Sequence, residues 1–170
     1  MTRTHPPVLG VVTLAGLVAA AGCFLSPIPL STPSRPLDDR LFGLWRCVPG
    51  EPSNEHAMLR IVAFDEHQYY ADWTDEDRVT RYRAYATLLG TTTVLNVQEL
   101  KEATPGAGWM FVKYVLPSAG QLTLSVAQDT AVAGADDRAR LDVVRKGAAG
   151  TALFGKAAAL CTREVEGLPR

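Results

Sequence analysis

The feature that most constrains the fold is a succession of short segments in which apolar and polar residues alternate, with turn residues between them. The segments are residues 41–48, 58–64, 68–73, 78–89, 91–100, 109–116, 121–128 and 160–165. A period of two predicts β-strands with one buried face, and the glycine, proline and acidic clusters between them predict tight turns. We therefore predict a mainly β fold of seven or eight strands, as a single antiparallel barrel or strongly curled sheet, because closure removes exposed strand edges.

One segment departs from this pattern and predicts a helix before the last strand. Residues 136–146 begin at Asp136, a good N-cap, and end with Arg145 and Lys146, whose charges suit the negative end of a helix dipole. Leu141 and Val144, with Val143 beside them, would form its apolar side. Gly147 can terminate it.

The N-terminus has the pattern of an export signal. Residues 8–21 contain no charge and follow a short lead that carries Arg3, and the run ends in the small residues Ala20, Ala21 and Gly22 directly before Cys23. This pattern is typical of a secretory signal peptide over residues 1–22. Two alternatives are ordinary cleavage to a secreted protein and an uncleaved membrane helix, although the run is shorter than the roughly 20 residues that span a bilayer.

The sequence Ala20-Ala21-Gly22-Cys23 resembles the lipobox of bacterial lipoproteins, although that family most often has leucine three residues before the cysteine. The resemblance implies that Cys23 is lipidated, becomes the first residue of the mature chain and anchors the protein to a membrane of the cell envelope. Phe24, rather than aspartate, follows the cysteine, which by the family's sorting rule favours the outer membrane. Residues 23–36 contain prolines at 27, 29, 33 and 36 and predict an extended tether of roughly 30 Å.

The remaining cysteines and the charge balance limit the possibilities further. With Cys23 lipidated, Cys47 and Cys161 are left as a pair near the two ends of the folded part, residues 37–170. In an oxidising compartment we expect them to form a disulfide, with two separate buried thiols as the alternative. The chain has 17 basic and 18 acidic residues, a net charge of −1, and this balance gives no reason to expect a nucleic-acid partner.

Gly43-Leu44-Trp45 on the first predicted strand resembles the glycine-x-tryptophan signature of lipocalins. In that family the tryptophan closes one end of a barrel and an arginine from near the end of the chain packs over it, a role that the resemblance gives to Arg163. The threonine-aspartate-tyrosine motif of the family is missing, and the predicted helix precedes the last strand rather than following it. The resemblance implies a lipocalin-like barrel, and fold alone does not imply ligand binding.

Aromatic residues at alternating positions are the candidate ligand-binding residues. A barrel of about eight strands is either filled by side chains or holds one small ligand. A filled core is the simpler interpretation, and Ala71, Ala84 and Ala86, which leave interior volume, support a partial cavity as the alternative. The candidate lining residues are Trp45, Tyr69, Trp73, Tyr82 and Trp109, with Phe111 beside them.

Catalytic and metal-binding patterns are weak. His56 and His67 lie at opposite ends of a predicted strand, too far apart for one metal site, and are interpreted as surface-loop residues. Arg78, Arg81 and Arg83 are interpreted as an outer strand face paired with the acidic run at 72–77. No nucleophile elbow, phosphate loop or zinc-helix motif occurs, and we expect neither an enzyme nor a cofactor.

These observations predict an envelope lipoprotein that acts as a binding module for an apolar small molecule or acyl chain. The alternative is a structural or interaction protein of the envelope, with a filled core and an outer surface that contacts another protein. The first requires inward-facing volume, and the second a dry core and an exposed apolar patch.

Overall fold

A computed structural model describes residues 24–50, 56–76, 78–100, 108–128, 136–155 and 157–164. The signal-peptide and lipidation predictions fall on residues 1–23, outside the described residues. In the described part of the chain no helix is long and apolar enough to cross a membrane.

The chain forms a closed antiparallel barrel of eight strands, as the alternation predicts. A 3-10 helix (Asp39–Leu41) leads into the barrel. The strands, in order, are β1 (Gly43–Pro49), β2 (Ala57–Ala63), β3 (Tyr69–Asp75), β4 (Arg78–Leu89), β5 (Thr92–Glu99), β6 (Trp109–Ser118), β7 (Gln121–Val126) and β8 (Ala159–Arg163), and the helix α1 (Asp137–Gly147) lies between β7 and β8. Each strand pairs with the next in sequence, and β8 returns to pair with β1.

The two ends of the barrel differ. At the lower end, residues 64–68, 90–91 and 119–120 make short connections, and the 3-10 helix lies beside them. At the upper end, residues 50–56, 76–77, 100–108 and 127–158 connect the strands, and the last of these connections contains α1. The lower end is closed by short turns, whereas the connections at the upper end vary in length. Ligand sites of small barrels are usually found at such an end.

A disulfide joins Cys47 to Cys161 across the seam where the barrel closes. The two residues are direct partners in the register of β1 against β8, and both are buried. The predicted pairing is confirmed. The crosslink encloses a separation of 114 positions.

Two apolar clusters flank the barrel wall. The inner cluster lies inside the barrel and includes Leu41, Trp45 and Cys47. The outer cluster lies between the wall of β4–β6 and α1, whose Leu141 and Val144 face inward as predicted. Val143 of the same helix is exposed.

The tether prediction is wrong for residues 24–31, which we call the strap. The strap does not extend into solvent but lies on the outer wall, with Phe24, Ser26 and Leu30 buried. The prolines suggested a chain with nothing to bury, yet Phe24 and Leu30 join the outer cluster beside α1. Full burial of each such side chain contributes about 1.5–3 kcal/mol, which offsets part of the entropic cost of ordering the strap.

Candidate functional site: an apolar cavity in the barrel

The barrel encloses a cavity of about 280 Å³ whose walls are almost wholly apolar. Aliphatic residues supply most of the wall, among them Leu59, Ile61, Leu95, Val97, Val112 and Leu124. Tyr69, Trp73 and Tyr82 add aromatic surface from β3 and β4. A wall of this composition favours apolar ligands, because it offers few partners to a buried polar group.

Small residues create the space. Ala71 on β3 is the register partner of Tyr82 on β4, and Ala84, one inward position further along β4, is the partner of Tyr69. Ala158 and Ala159 line the opposite side, where β8 begins. The expectation that inward alanines leave volume is confirmed for Ala71 and Ala84 by their place in the cavity wall.

The cavity runs towards the upper end of the barrel. Its wall includes Met110 next to the start of β6, Val126 at the end of β7 and Ala158 just before β8. Leu41, from the 3-10 helix, lines the cavity at the lower end and is itself buried. The cavity therefore has a floor at the lower end and reaches the strand ends at the upper end.

The floor is held by Trp45 and Arg163. The Trp45 side chain is fully buried, and its indole Nε1 donates a 2.9 Å hydrogen bond to the Leu41 carbonyl. The Arg163 guanidinium lies 4.3 Å from the centre of the Trp45 ring and donates hydrogen bonds to the Phe42 and Arg40 carbonyls. The arginine-over-tryptophan contact expected from the lipocalin resemblance is therefore present.

Gly43 is required by the same arrangement. Its φ is +125°, which L side chains rarely adopt, and a Cβ at this position would lie 2.8 Å from Arg163 Nη1. A side chain at residue 43 would displace the guanidinium from the tryptophan. The glycine at position 43 is thus explained by the contact between Trp45 and Arg163, because the Arg163 guanidinium occupies the space that a side chain at residue 43 would need.

A polar cluster lies beneath the floor. The Tyr114 hydroxyl donates a 3.0 Å hydrogen bond to Asp38 Oδ2, and the Asp38 amide donates a 2.6 Å bond to the Tyr69 hydroxyl. The Arg40 guanidinium, bonded to both Asp38 carboxylate oxygens, holds the pKa of Asp38 below its usual value. Burial, together with the neighbouring Asp38 carboxylate, raises the pKa of Tyr114, so its hydroxyl stays neutral and can donate. These groups bond one another outside the apolar cavity.

The strap is fixed to the outer wall by backbone and side-chain bonds. The Phe24 amide donates to the Ala127 carbonyl at 3.1 Å, and Ser26 pairs with Trp109 through two backbone hydrogen bonds of 2.9 and 2.6 Å. Further along, the Leu30 amide donates to Asn96 Oδ1 at 2.8 Å, and Ser31 Oγ lies 2.6 Å from Thr87 Oγ1. Because Trp109 and Ala127 lie at the upper end and Thr87 near the lower end, the strap runs down the wall from the upper end.

Three of the five predicted lining residues, Tyr69, Trp73 and Tyr82, line the cavity. Trp45 lies in its floor, beneath the lining. Trp109 is on the opposite face of the wall, in the outer cluster, where its ring meets Tyr85 at 5.4 Å and Arg83 at 5.2 Å. Placing Trp109 in the cavity was wrong because both faces of β6 are apolar, and Phe111 follows it outward to meet Phe24 at 5.6 Å. Met110 and Val112 are the inward residues that the aromatic criterion missed.

The other candidate groups do not converge. His56 is exposed, and His67 Nδ1 lies 3.2 Å from the Arg35 carbonyl. Among the described residues no group of three or more histidine, cysteine or acidic side chains could hold a metal ion. On the outer wall, Asp72 lies between Arg60 and Arg81 at 3.9 and 4.0 Å, an instance of the predicted pairing of strand arginines with acidic residues.

Comparison with protein-family models, with curated proteins and with solved structures found no match to this chain. The fold and the cavity define its class: an eight-stranded antiparallel barrel with an internal apolar cavity.

Proposed function

We propose that this protein is a membrane-anchored lipoprotein of the cell envelope that binds an apolar small molecule or a short acyl chain inside its barrel. The observation that carries the proposal is the apolar cavity of about 280 Å³ between Leu41 and the upper strand ends. A cavity with this lining gains binding free energy from each apolar group that leaves water, at about 0.8 kcal/mol for each methylene.

The size of the cavity limits the ligand. Its volume of about 280 Å³ lies near the lower end of the range for small-molecule sites. A small apolar molecule or a single short acyl chain is the size of ligand that suits it. A longer chain would extend past Met110 and Val126 at the upper end.

Export and anchoring are supported by independent features. The uncharged run at residues 8–21 followed by Ala20-Ala21-Gly22-Cys23 is the pattern of a lipoprotein signal. The Cys47–Cys161 disulfide suits an oxidising compartment outside the cytosol. Intact mass of the protein isolated from membranes tests this part: we expect a chain that begins at Cys23 and carries acyl groups, whereas a chain that retains Met1 contradicts it.

Ligand binding is tested by titrating the protein with a series of linear alcohols of increasing length in a calorimeter. We expect affinity to rise about fourfold with each methylene until the cavity is full, and then to level off. Ala84→Phe places a ring in the cavity and should weaken decanol binding at least tenfold. Ala63→Phe, at an exposed position at the end of β2, is the matched control and should bind as the unsubstituted protein does.

The alternative, a structural envelope protein without a ligand, predicts a different result. No alcohol of any length would then bind with measurable heat, and Ala84→Phe would change stability alone. Ala71→Leu provides a milder filling of the same cavity if the larger substitution prevents folding.

A further inference from the structure

The strap places the anchor of the protein at the cavity's upper end. Phe24 is 1% exposed, its amide is bonded to Ala127, and Ser26 forms a bridge with Trp109 at the first position of β6. Cys23 directly precedes Phe24 in the sequence, and consecutive Cα atoms are only about 3.8 Å apart. A lipid on Cys23 would therefore be attached within one residue of a fixed point on the barrel, with no spacer between them.

The cavity reaches this same end of the barrel. Met110 is the neighbour of Trp109 on β6, and Val126 is the neighbour of Ala127, so the two strand ends that hold the strap also supply cavity wall. The opposite end is covered by Leu41 and the Trp45–Arg163 contact. Cys23, the proposed attachment point of the lipid, thus directly precedes a residue fixed at the end of the barrel that the cavity reaches.

The exposed apolar side chains are concentrated at the upper end. Five of the ten large exposed apolar residues lie next to strand ends there: Leu25, Val48, Val79, Leu100 and Leu160. Two, Phe64 and Leu88, lie at the lower end. The lower end exposes charged groups, including Asp39, Arg40, Asp65 and Glu66, and in the described part of the upper end Glu76 and Arg78 are exposed beside strands, with further exposed charges on α1. Exposed apolar side chains beside the strand ends suit contact with a bilayer.

We propose that the upper end of the barrel faces the membrane and that acyl-chain ligands pass directly between the bilayer and the cavity. This inference rests on the proposed lipid anchor and binding function, and adds to them an orientation and a route. The partner surface is a lipid bilayer, and the ligand class is a membrane lipid or fatty acid held by its acyl chain. The strap is the device that sets the orientation, because it converts a flexible attachment into one fixed at the cavity's end.

The orientation is tested with the full lipidated chain in phosphatidylcholine vesicles that contain a nitroxide-labelled head group. A fluorophore is attached in turn through Val79→Cys or Leu100→Cys at the upper end, and through Phe64→Cys or Leu88→Cys at the lower end. All four positions are exposed, and the native Cys47–Cys161 pair is buried and bonded. We expect strong quenching of the upper probes and little of the lower ones; equal quenching, or stronger quenching at the lower end, overturns the orientation.

The route is tested by the rate at which linear fatty acids of increasing length move from vesicles into the cavity. Release through water slows about fourfold with each added methylene, because each one must be exposed. Direct passage predicts a rate nearly independent of chain length for the anchored protein, and the fourfold series for a Cys23→Ala chain that is free in solution. A fourfold series from the anchored protein as well rules out direct passage.

The two failures can be told apart. If the protein carries no lipid, or no alcohol binds in the calorimeter, the proposed function fails and the orientation falls with it. If the anchor and the binding are both present and the lower probes are the quenched ones, the proposed function stands and the orientation alone is wrong.

Discussion

The Leu30 amide donates a 2.8 Å hydrogen bond to Oδ1 of Asn96, which lies 66 positions later in the chain. The Asn96 side chain is completely buried, and its Nδ2 donates in turn to Thr87 Oγ1 at 2.8 Å and to the Tyr85 carbonyl. One amide group therefore bonds the strap, β4 and its own strand together. Without it, several buried polar groups would lose their partners.

We expect Asn96→Ala to lower the free energy of unfolding by about 1–3 kcal/mol, because it leaves the Leu30 amide without its partner and removes one of the two hydrogen bonds at the Thr87 hydroxyl. Hydrogen exchange should show faster exchange in residues 24–31 than in β1. Thr92→Ala, on the same face at the start of β5, is the control. Unchanged protection of the Leu30 amide would show that Asn96 does not hold the strap.

Replacing both Cys47 and Cys161 with alanine should lower the free energy of unfolding by about 5 kcal/mol, the chain-entropy figure for a loop of this length. Denaturant titration with and without reductant measures it. The doubly substituted chain should not respond to reductant. If reductant lowers the unfolding free energy of the native and the doubly substituted protein equally, the Cys47–Cys161 disulfide is not the cause of the loss.

Gly43→Ala should destabilise the protein by about 1–3 kcal/mol, because alanine is strained at this φ and its Cβ would meet the Arg163 guanidinium. Gly120→Ala is the matched control, since a Cβ there meets nothing within 4 Å. Thermal unfolding compares the two, and fluorescence of Trp45 should change in the first variant only. Equal behaviour of the two variants would remove the proposed role of Gly43.

Raising the pH should loosen the strap. Burial raises the pKa of Tyr85 to about 12, and its hydroxyl donates to the Ser31 carbonyl. A raised pKa means that the stabilisation is fully present below the ordinary tyrosine value of 10.0 and is lost as the pH rises towards about 12. Tyr85→Phe should flatten the decline of the unfolding free energy across this interval, as followed by circular dichroism. Tyr114→Phe, at the lower end, measures how much of the decline comes from the other tyrosine whose pKa is strongly raised. If the decline is unchanged in Tyr85→Phe, Tyr85 does not cause it.

The strand order and the inward faces of β3 and β4 follow from the sequence because one face of each alternates with polar residues. Tyr82 and Ala84 point into the barrel while Arg81 and Arg83 lie on the other face, and only one choice buries the apolar set. On β6 the rule fails, because Trp109 and Met110 are both apolar and the strand is covered on both sides. When both faces of a strand are apolar, the local sequence pattern cannot predict which face lines the cavity and which packs against another segment.

The strap could not be predicted for a related reason. Its two prolines and two serines fit an extended chain in water, and Pro27 is indeed exposed. The partners that bury Phe24 and Leu30 come from β4, β6 and α1, far along the chain. Asn96 is a buried polar residue at an outward strand position, and its Oδ1 takes its partner, the Leu30 amide, from outside the sheet.

The pairing of β1 with β8 also decides when the protein can finish folding. Cys47 must wait for Cys161, which is synthesised 114 positions later, before its register partner exists. Pairing across so long a separation makes folding slow, and until it occurs β1 has an unpaired edge. Formation of the disulfide therefore indicates that the barrel has closed. A chain with a free thiol at Cys47 would be one in which β1 and β8 have not paired.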